Sequence, residues 1–190
     1  MPLHIDPDGV APFATQVASP NCNERPRGTA ISLIVVHGIS LPPGKFGGDG
    51  VYRLFTNSLD PGADPFYPGI AHLKVSSHFF IRRDGALVQF VPCRRRAWHA
   101  GKSSWRGRAS CNDYSVGIEL EGTDDLRYTT PQYSMLTRVA RALCGRYPIR
   151  DMVGHSDIAP GRKTDPGAAF DWPQLGRLLG VPATDGRAGA

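Results

Sequence analysis

The chain has 190 residues, 41% hydrophobic and 21% charged, with a formal net charge of +5. That is the make-up of one ordinary globular domain, long enough for a real core. No apolar run approaches the roughly 20 residues that cross a bilayer, and the four cysteines (Cys22, Cys93, Cys111, Cys144) form no C-x-x-C pair, which argues for free thiols and against a thiolate zinc site.

Taken in chain order, residues 1–30 are rich in Pro, Asn, Gly and polar groups and predict an extended arm packed on the domain. The Met1–Gly9 start has neither a basic n-region nor an apolar h-region, so the expected location is the cytoplasm. Ile31–Val36 is a continuous, largely β-branched run, the pattern of a strand buried on both faces, ending at His37. A Gly/Pro-rich loop over 38–50, a short helix over Val51–Leu59 and a loop over 60–69 follow. Ser77–Arg82 and Ala86–Val91 flank Asp84-Gly85 and predict a hairpin. Residues 92–113 read as a long, arginine-rich loop.

Val116, Ile118 and Leu120 alternate with Gly117, Glu119 and Glu121, a strand with one apolar and one carboxylate face. Thr130 and Pro131 are expected to open a helix as N-cap and first-turn residue. Leu136, Val139, Ala140 and Leu143 form its buried stripe, and Gly145 and Pro148 end it. A last helix over Trp172–Leu179 is capped by Asp171 and stopped by Gly180, with a flexible tail over 181–190. Strands interspersed with helices predict a single α/β domain over 31–180, a central mixed sheet flanked by helices.

The chemistry concentrates in Gly154–Gly167, where His155, Lys163 and Asp165 crowd a turn-rich loop broken by Pro160, Gly161 and Pro166. Imidazole and carboxylate are what zinc takes when thiolates are absent, and catalytic zinc keeps three protein ligands plus an open position. His37, at the carboxyl end of a buried strand, completes a His₂-carboxylate set with His155 and Asp165. His4, His72, His78 and His99 read as core or surface histidines, with His99 the strongest exception because Trp98-His99-Ala100-Gly101 sits on the long loop. Either Glu119 or Glu121 suits a general base, with both facing solvent as the alternative. Lys163, two residues before a ligand, suits oxyanion stabilisation.

Several further segments carry a resemblance: Ile34-Val35-Val36-His37 with Ser40-Leu41-Pro42-Pro43-Gly44 and Phe46-Gly47-Gly48, Ile81-Arg82-Arg83-Asp84-Gly85, Trp98-His99-Ala100-Gly101, Cys111-Asn112-Asp113, Gly117 to Asp124, and the His155–Gly167 loop with Phe170-Asp171-Trp172. In this order they resemble the peptidoglycan-recognition-like N-acetylmuramoyl-L-alanine amidase family over residues 31–180. The resemblance implies that His37, His155 and Asp165 hold Zn²⁺, that Glu119 is the acid/base, and that Lys163 assists at the tetrahedral intermediate. It implies cleavage of the amide between N-acetylmuramic acid and L-alanine, with preference for the 1,6-anhydro products of cytoplasmic cell-wall recycling. Lys74 stands where a substrate-pocket arginine is expected, and Trp98 offers a face for a sugar ring, with a core tryptophan as the alternative. Gly38, Lys74 and Ser110 depart from the side chains expected there.

The basic balance fits a substrate bearing several carboxylates, with Lys74 and the Arg94–Arg96 run as candidate partners. No recognition motif supports a nucleic-acid partner, and neither membrane insertion nor an obligate protein partner is expected.

Overall fold

The sheet is built on strands whose alternate residues face different surroundings. The structure, a computed structural model, describes residues 3–180 and the backbone of 188 and 189. Its elements in chain order are β1 (Thr15–Gln16), β2 (Cys22–Glu24), β3 (Leu33–Ile39), α1 (Gly50–Phe55), β4 (Phe79–Ile81), β5 (Leu87–Gln89), β6 (Arg95–Ala97), β7 (Ser104–Trp105), β8 (Arg108–Ala109), β9 (Ser115–Glu121), α2 (Thr130–Arg146), β10 (Asp151–Gly154), α3 (His155–Ile158), α4 (Trp172–Leu179) and β11 (Ala188–Gly189). The main sheet runs β1-β5-β4-β9-β3-β10-β11. Strands β4, β9, β3 and β10 are parallel, while β5 runs antiparallel to β4 and β11 to β10. The fold is therefore α/β, one domain with a mixed sheet flanked by helices. The tail expected over 181–190 lies outside the described residues apart from the β11 backbone.

Helix α2 covers one face. Its Leu136, Val139 and Leu143 are fully buried against Ile34 and Val36 of β3 and Val116, Ile118 and Leu120 of β9. Burial of each such side chain contributes about 1.5–3 kcal/mol. On the other face, Val51, Leu54 and Phe55 of α1 pack on Phe80, Val88 and Phe90. Beside them Leu33, Val35 and Val153 lie under Ala100, Cys111, Tyr114 and Ile158. The period of two leaves His37, Gly117, Glu119 and Glu121 on this second face, with His37 paired to Glu119 in register.

Several boundaries differ from the sequence-based expectation. Strand β3 runs through His37 to Ile39, and α1 ends at Phe55 rather than Leu59. The cap of α2 is Thr129, not Thr130: its hydroxyl accepts from Gln132 N, and Gln132 Oε1 accepts from Thr129 N at 3.0 Å, a closed capping box. Gly145 lies inside the helix, which stops at Arg146. Residues 92–113 are not one loop but hold β6, β7, β8 and a 3₁₀ turn.

The N-terminal residues are integral. Strand β1 pairs with β5 and β2 with β6, and Ile5, Ala11 and Ala14 are buried in the core. Arg25 is the anchor. Its guanidinium donates to the carbonyls of Cys93, Asn112, Asp113 and Ser115 at 2.8–3.1 Å. Burial lowers its pKa to about 10, which leaves it charged at neutral pH. Hydrogen bonds to a charged donor are the strong ones. Arg25→Met is therefore expected to cost about 2–4 kcal/mol, read as a lower urea midpoint at unchanged slope. An unchanged midpoint would mean that the arm rests on the domain without holding it.

Candidate metal centre

Three elements bring the candidate ligands together. His37 comes from the buried strand β3, His155 from the first position of the one-turn helix α3, and Asp165 from the loop that follows. The stretch read from sequence as loop thus opens with a helical turn. Ser156 N donates to the Asp165 carbonyl at 3.0 Å, and the Ala159 carbonyl accepts from Arg162 N and Lys163 N, which folds the loop back on α3.

The donor atoms form a triangle: His37 Nδ1 to His155 Nδ1 is 3.0 Å, and each lies 3.1 Å from Asp165 Oδ2. A tetrahedron with bonds of about 2.0–2.1 Å has edges of roughly 3.3–3.4 Å, so the triangle is nearly one face of a zinc site. Among the described residues this is the set of His, Cys, Asp and Glu able to hold a metal. Protonation fits as well. Burial lowers the pKa of His37 to about 4, only partly offset by its bond to Asp165. Burial acts to raise Asp165, but hydrogen bonds with His155 and His37 outweigh it and hold the carboxyl well below its usual range. At neutral pH a neutral imidazole and an ionised carboxylate offer lone pairs, the state a metal requires.

The distal nitrogens are also held. His37 Nε2 lies 2.9 Å from His99 Nδ1, and His155 Nε2 lies 3.3 Å from the Ala100 carbonyl. His99 is thus the one remaining histidine that reaches the centre. His78 is buried away from the ligands, its Nδ1 accepting from Gly117 N and its Nε2 donating to the Arg95 carbonyl, both at 3.0 Å. His4 and His72 are exposed.

Glu119 and Glu121 share a face but not a role, and neither faces solvent: they are 8% and 4% exposed. Glu119 Oε1 lies 4.0 Å from His37 Nδ1, and its Oε2 is buried without a hydrogen-bond partner. Burial, then the nearby Asp165 carboxylate, raise its pKa well above the usual range, with Lys163 pulling the other way. Such surroundings strengthen the hold of the carboxyl on a proton. Glu121, by contrast, is fully engaged. It accepts from Gly47 N at 2.7 Å and Arg83 N at 3.0 Å, with Arg82 Nε at 3.9 Å. It therefore pins the 38–50 loop and the β4–β5 hairpin to the end of β9.

The other sequence-selected residues sit further out. Lys163 is exposed, although its charge reaches both His37 and Glu119. Trp98 is half-buried, with its indole N–H donating to Asn23 Oδ1 at 2.9 Å. Lys74 is exposed on the segment before β4. The Arg94–Arg96 run is not a free cationic patch: Arg94 pairs with Asp8 at 2.7 Å, Arg95 with Glu24 at 3.5 Å and Arg96 with Asp113 at 2.6 Å.

Nothing local in the sequence marks Tyr128. Its ring covers the carboxyl ends of β3 and β9, and its hydroxyl donates to the Pro166 carbonyl at 2.9 Å, next to the ligand Asp165. A Cβ on Gly38 would collide with that hydroxyl, and one on Gly122 would lie 2.5 Å from the ring. Tyr128 thus fills the space that a side chain at 38 would take.

Residues 27–168 match the family described as N-acetylmuramoyl-L-alanine amidase. The chain is 56% identical over 173 residues to the 1,6-anhydro-N-acetylmuramyl-L-alanine amidase AmpD of Citrobacter freundii, spanning 90% of this chain and 92% of that protein. A crystal structure of a selenomethionine AmpD derivative has a TM-score of 0.88 at 54% identity, covering 90% of this chain and 97% of that one. The Escherichia coli amidase AmiD, in complex with the substrate anhydro-N-acetylmuramic acid-L-Ala-D-γ-Glu-L-Lys, has a TM-score of 0.60 at 28% identity, covering 95% of this chain and 66% of that one. The chain belongs to the N-acetylmuramoyl-L-alanine amidase family, whose members are hydrolases of a carbon–nitrogen amide bond.

The contrast between the two glutamates yields a stability test that needs no substrate. Glu119→Gln removes an unpartnered buried carboxyl and is expected to leave metal-free stability unchanged or raised. Glu121→Gln weakens two bonds from backbone N–H groups and is expected to cost about 1–3 kcal/mol. Thermal unfolding of both variants after chelation measures the difference, and the reverse order would exchange the roles assigned here.

Proposed function

We propose that this protein is a zinc-dependent hydrolase of the amide between N-acetylmuramic acid, preferably in its 1,6-anhydro form, and L-alanine of the stem peptide. On this reading it serves peptidoglycan recycling in the cytoplasm. One observation carries it: three lone-pair donors from His37, His155 and Asp165 within 3.1 Å of one another, with the unpartnered Glu119 Oε2 buried beside them. The substrate class is supported by the names of relatives more than half identical over nine-tenths of the chain and by the substrate bound to AmiD. No helix among the described residues is long and apolar enough to cross a membrane.

A zinc ion held by the three side chains would supply Lewis acidity to the scissile carbonyl and to the attacking water. Glu119 is placed to take the proton of that water. Its raised proton affinity lets it keep the proton until the alanine nitrogen needs it. The Lys163 ammonium lies within electrostatic reach of the same point and would favour negative charge developing on the carbonyl oxygen. The 38–50 loop, pinned by Glu121, and the 92–113 segment would serve as walls for a small ligand.

His155→Ala is expected to lose bound zinc on metal analysis, and full occupancy would remove it from the ligand set. Glu119→Ala is expected to retain zinc and lose about 10²- to 10⁴-fold in rate, with Glu121→Ala milder. Lys163→Ala should lower kcat and kcat/KM together, because its contact is made in the transition state. A change in KM alone would assign it to the substrate's carboxylates instead.

Specificity is tested by comparing rates on an anhydromuramyl tripeptide, its reducing-end counterpart and purified sacculi. The soluble anhydro compound is expected to turn over fastest. Comparable turnover of sacculi would overturn the recycling assignment while leaving the amidase chemistry intact.

A further inference from the structure

We propose that the His99-Ala100 turn is a clasp that orients both imidazole ligands through their distal nitrogens, with His99 and Ser115 acting as positioning residues for His37. The inference rests on the reading of His37 and His155 as metal ligands.

The His99 ring is wedged between the two groups it would connect. Its Nδ1 is 2.9 Å from His37 Nε2 and its Nε2 is 3.1 Å from Ser115 Oγ. It meets the His37 ring edge-on, at 86° with centroids 5.0 Å apart. Only one direction of hydrogen bonding suits a metal. With the lone pair on His37 Nδ1, the proton sits on Nε2 and is donated to His99 Nδ1, and His99 Nε2–H is donated in turn to the Ser115 hydroxyl. The reverse direction would protonate His37 Nδ1, the atom that faces His155 and Asp165. An acceptor at His99 Nδ1 therefore favours the His37 tautomer that leaves Nδ1 free for a cation.

The next residue holds the other ligand. The Ala100 carbonyl lies 3.3 Å from His155 Nε2 and also accepts from Arg162 at 2.8 Å. The turn itself is fixed from below. The buried Asn112 side chain accepts from His99 N at 3.2 Å and Ala100 N at 2.8 Å through one oxygen. Gly117 makes room for the ring, since a Cβ there would lie 2.5 Å from His99 Cγ. One turn of chain thus presents a ring nitrogen to His37 and a carbonyl to His155. Orientation by such outer groups typically accounts for about 10- to 100-fold in metal affinity.

The test is zinc affinity, measured by chelator competition on the zinc-loaded protein. His99→Leu is expected to weaken zinc about 10- to 100-fold. His99→Asn, whose Oδ1 can replace Nδ1 as acceptor, should recover most of that loss. Ser115→Ala should fall between wild type and His99→Leu. Gly117→Ala displaces the ring without removing a polar group and should also loosen zinc. Thermal unfolding of each metal-free variant separates misfolding from mispositioning.

Equal zinc affinity in wild type and His99→Leu would overturn the clasp, as would an Asn variant no better than Leu. Failure of wild type itself to take up zinc would overturn the metal reading, and the clasp with it.

Discussion

Three electron-rich atoms held 3.0–3.1 Å apart, two of them on buried imidazoles, are the constraint on which this structure depends. Nothing about burying lone pairs against one another is favourable in itself, so the scaffold has to impose the arrangement. It does so by drawing the groups from rigid backbone. His37 sits in a seven-residue strand paired on both sides, and His155 follows directly from the strand next to it. The Asp165 loop is tied to α3 through Ser156 and to β3 through Tyr128 and Gly38. Glu119 is set on the neighbouring strand in register with His37, 4.0 Å from its nitrogen and so beside the triangle rather than in it.

What could be read from the chain follows the range of the signal. The alternation of Val116, Ile118 and Leu120 with Gly117, Glu119 and Glu121 was legible because a strand repeats every two residues. The residue types around His155 announced their chemistry directly. Strand alternation does not say whether the second face is covered; Glu121 is buried by Gly47 and Arg83, which lie far from it in sequence. The strands in 92–113 are two or three residues long, too short for any period to show. Arg25 and Tyr128 act through carbonyls and glycines far away in sequence, and nothing near them marks the role. The cap of α2 is a different case. Thr129 and Thr130 are both suitable, but only Thr129 has Gln132 three residues later, so the local signal existed and pointed one residue earlier.

Gln132 also shows how packing and chemistry are joined. Besides closing the capping box, its amide donates to the Glu121 carbonyl at 2.9 Å and the Ile81 carbonyl at 3.3 Å. The helix that buries the apolar face therefore fixes the ends of β9 and β4 on the opposite side. Glu121 continues the connection to Gly47 and Arg83. Helix position, strand end and loop form one bonded series, which keeps an otherwise glycine-rich loop in place at the end of β9.

The same logic explains why Glu119 and Lys163 are supported so differently. A proton is transferred across one hydrogen bond, and a displacement near 1 Å can cost about 100-fold in rate, so Glu119 belongs on a central strand with neighbours on both sides. A full charge acts through a potential that falls off only as the inverse of distance. An ammonium can therefore contribute from an exposed loop with a mobile stem, and Lys163 needs only its backbone held, as it is by the Ala159 carbonyl. On the proposed function, the rigid half of the centre would govern whether the bond is cut. The loop half, including Lys163 and the segment over Gly38, is where the chain can adjust what it accepts without disturbing the ligand triangle.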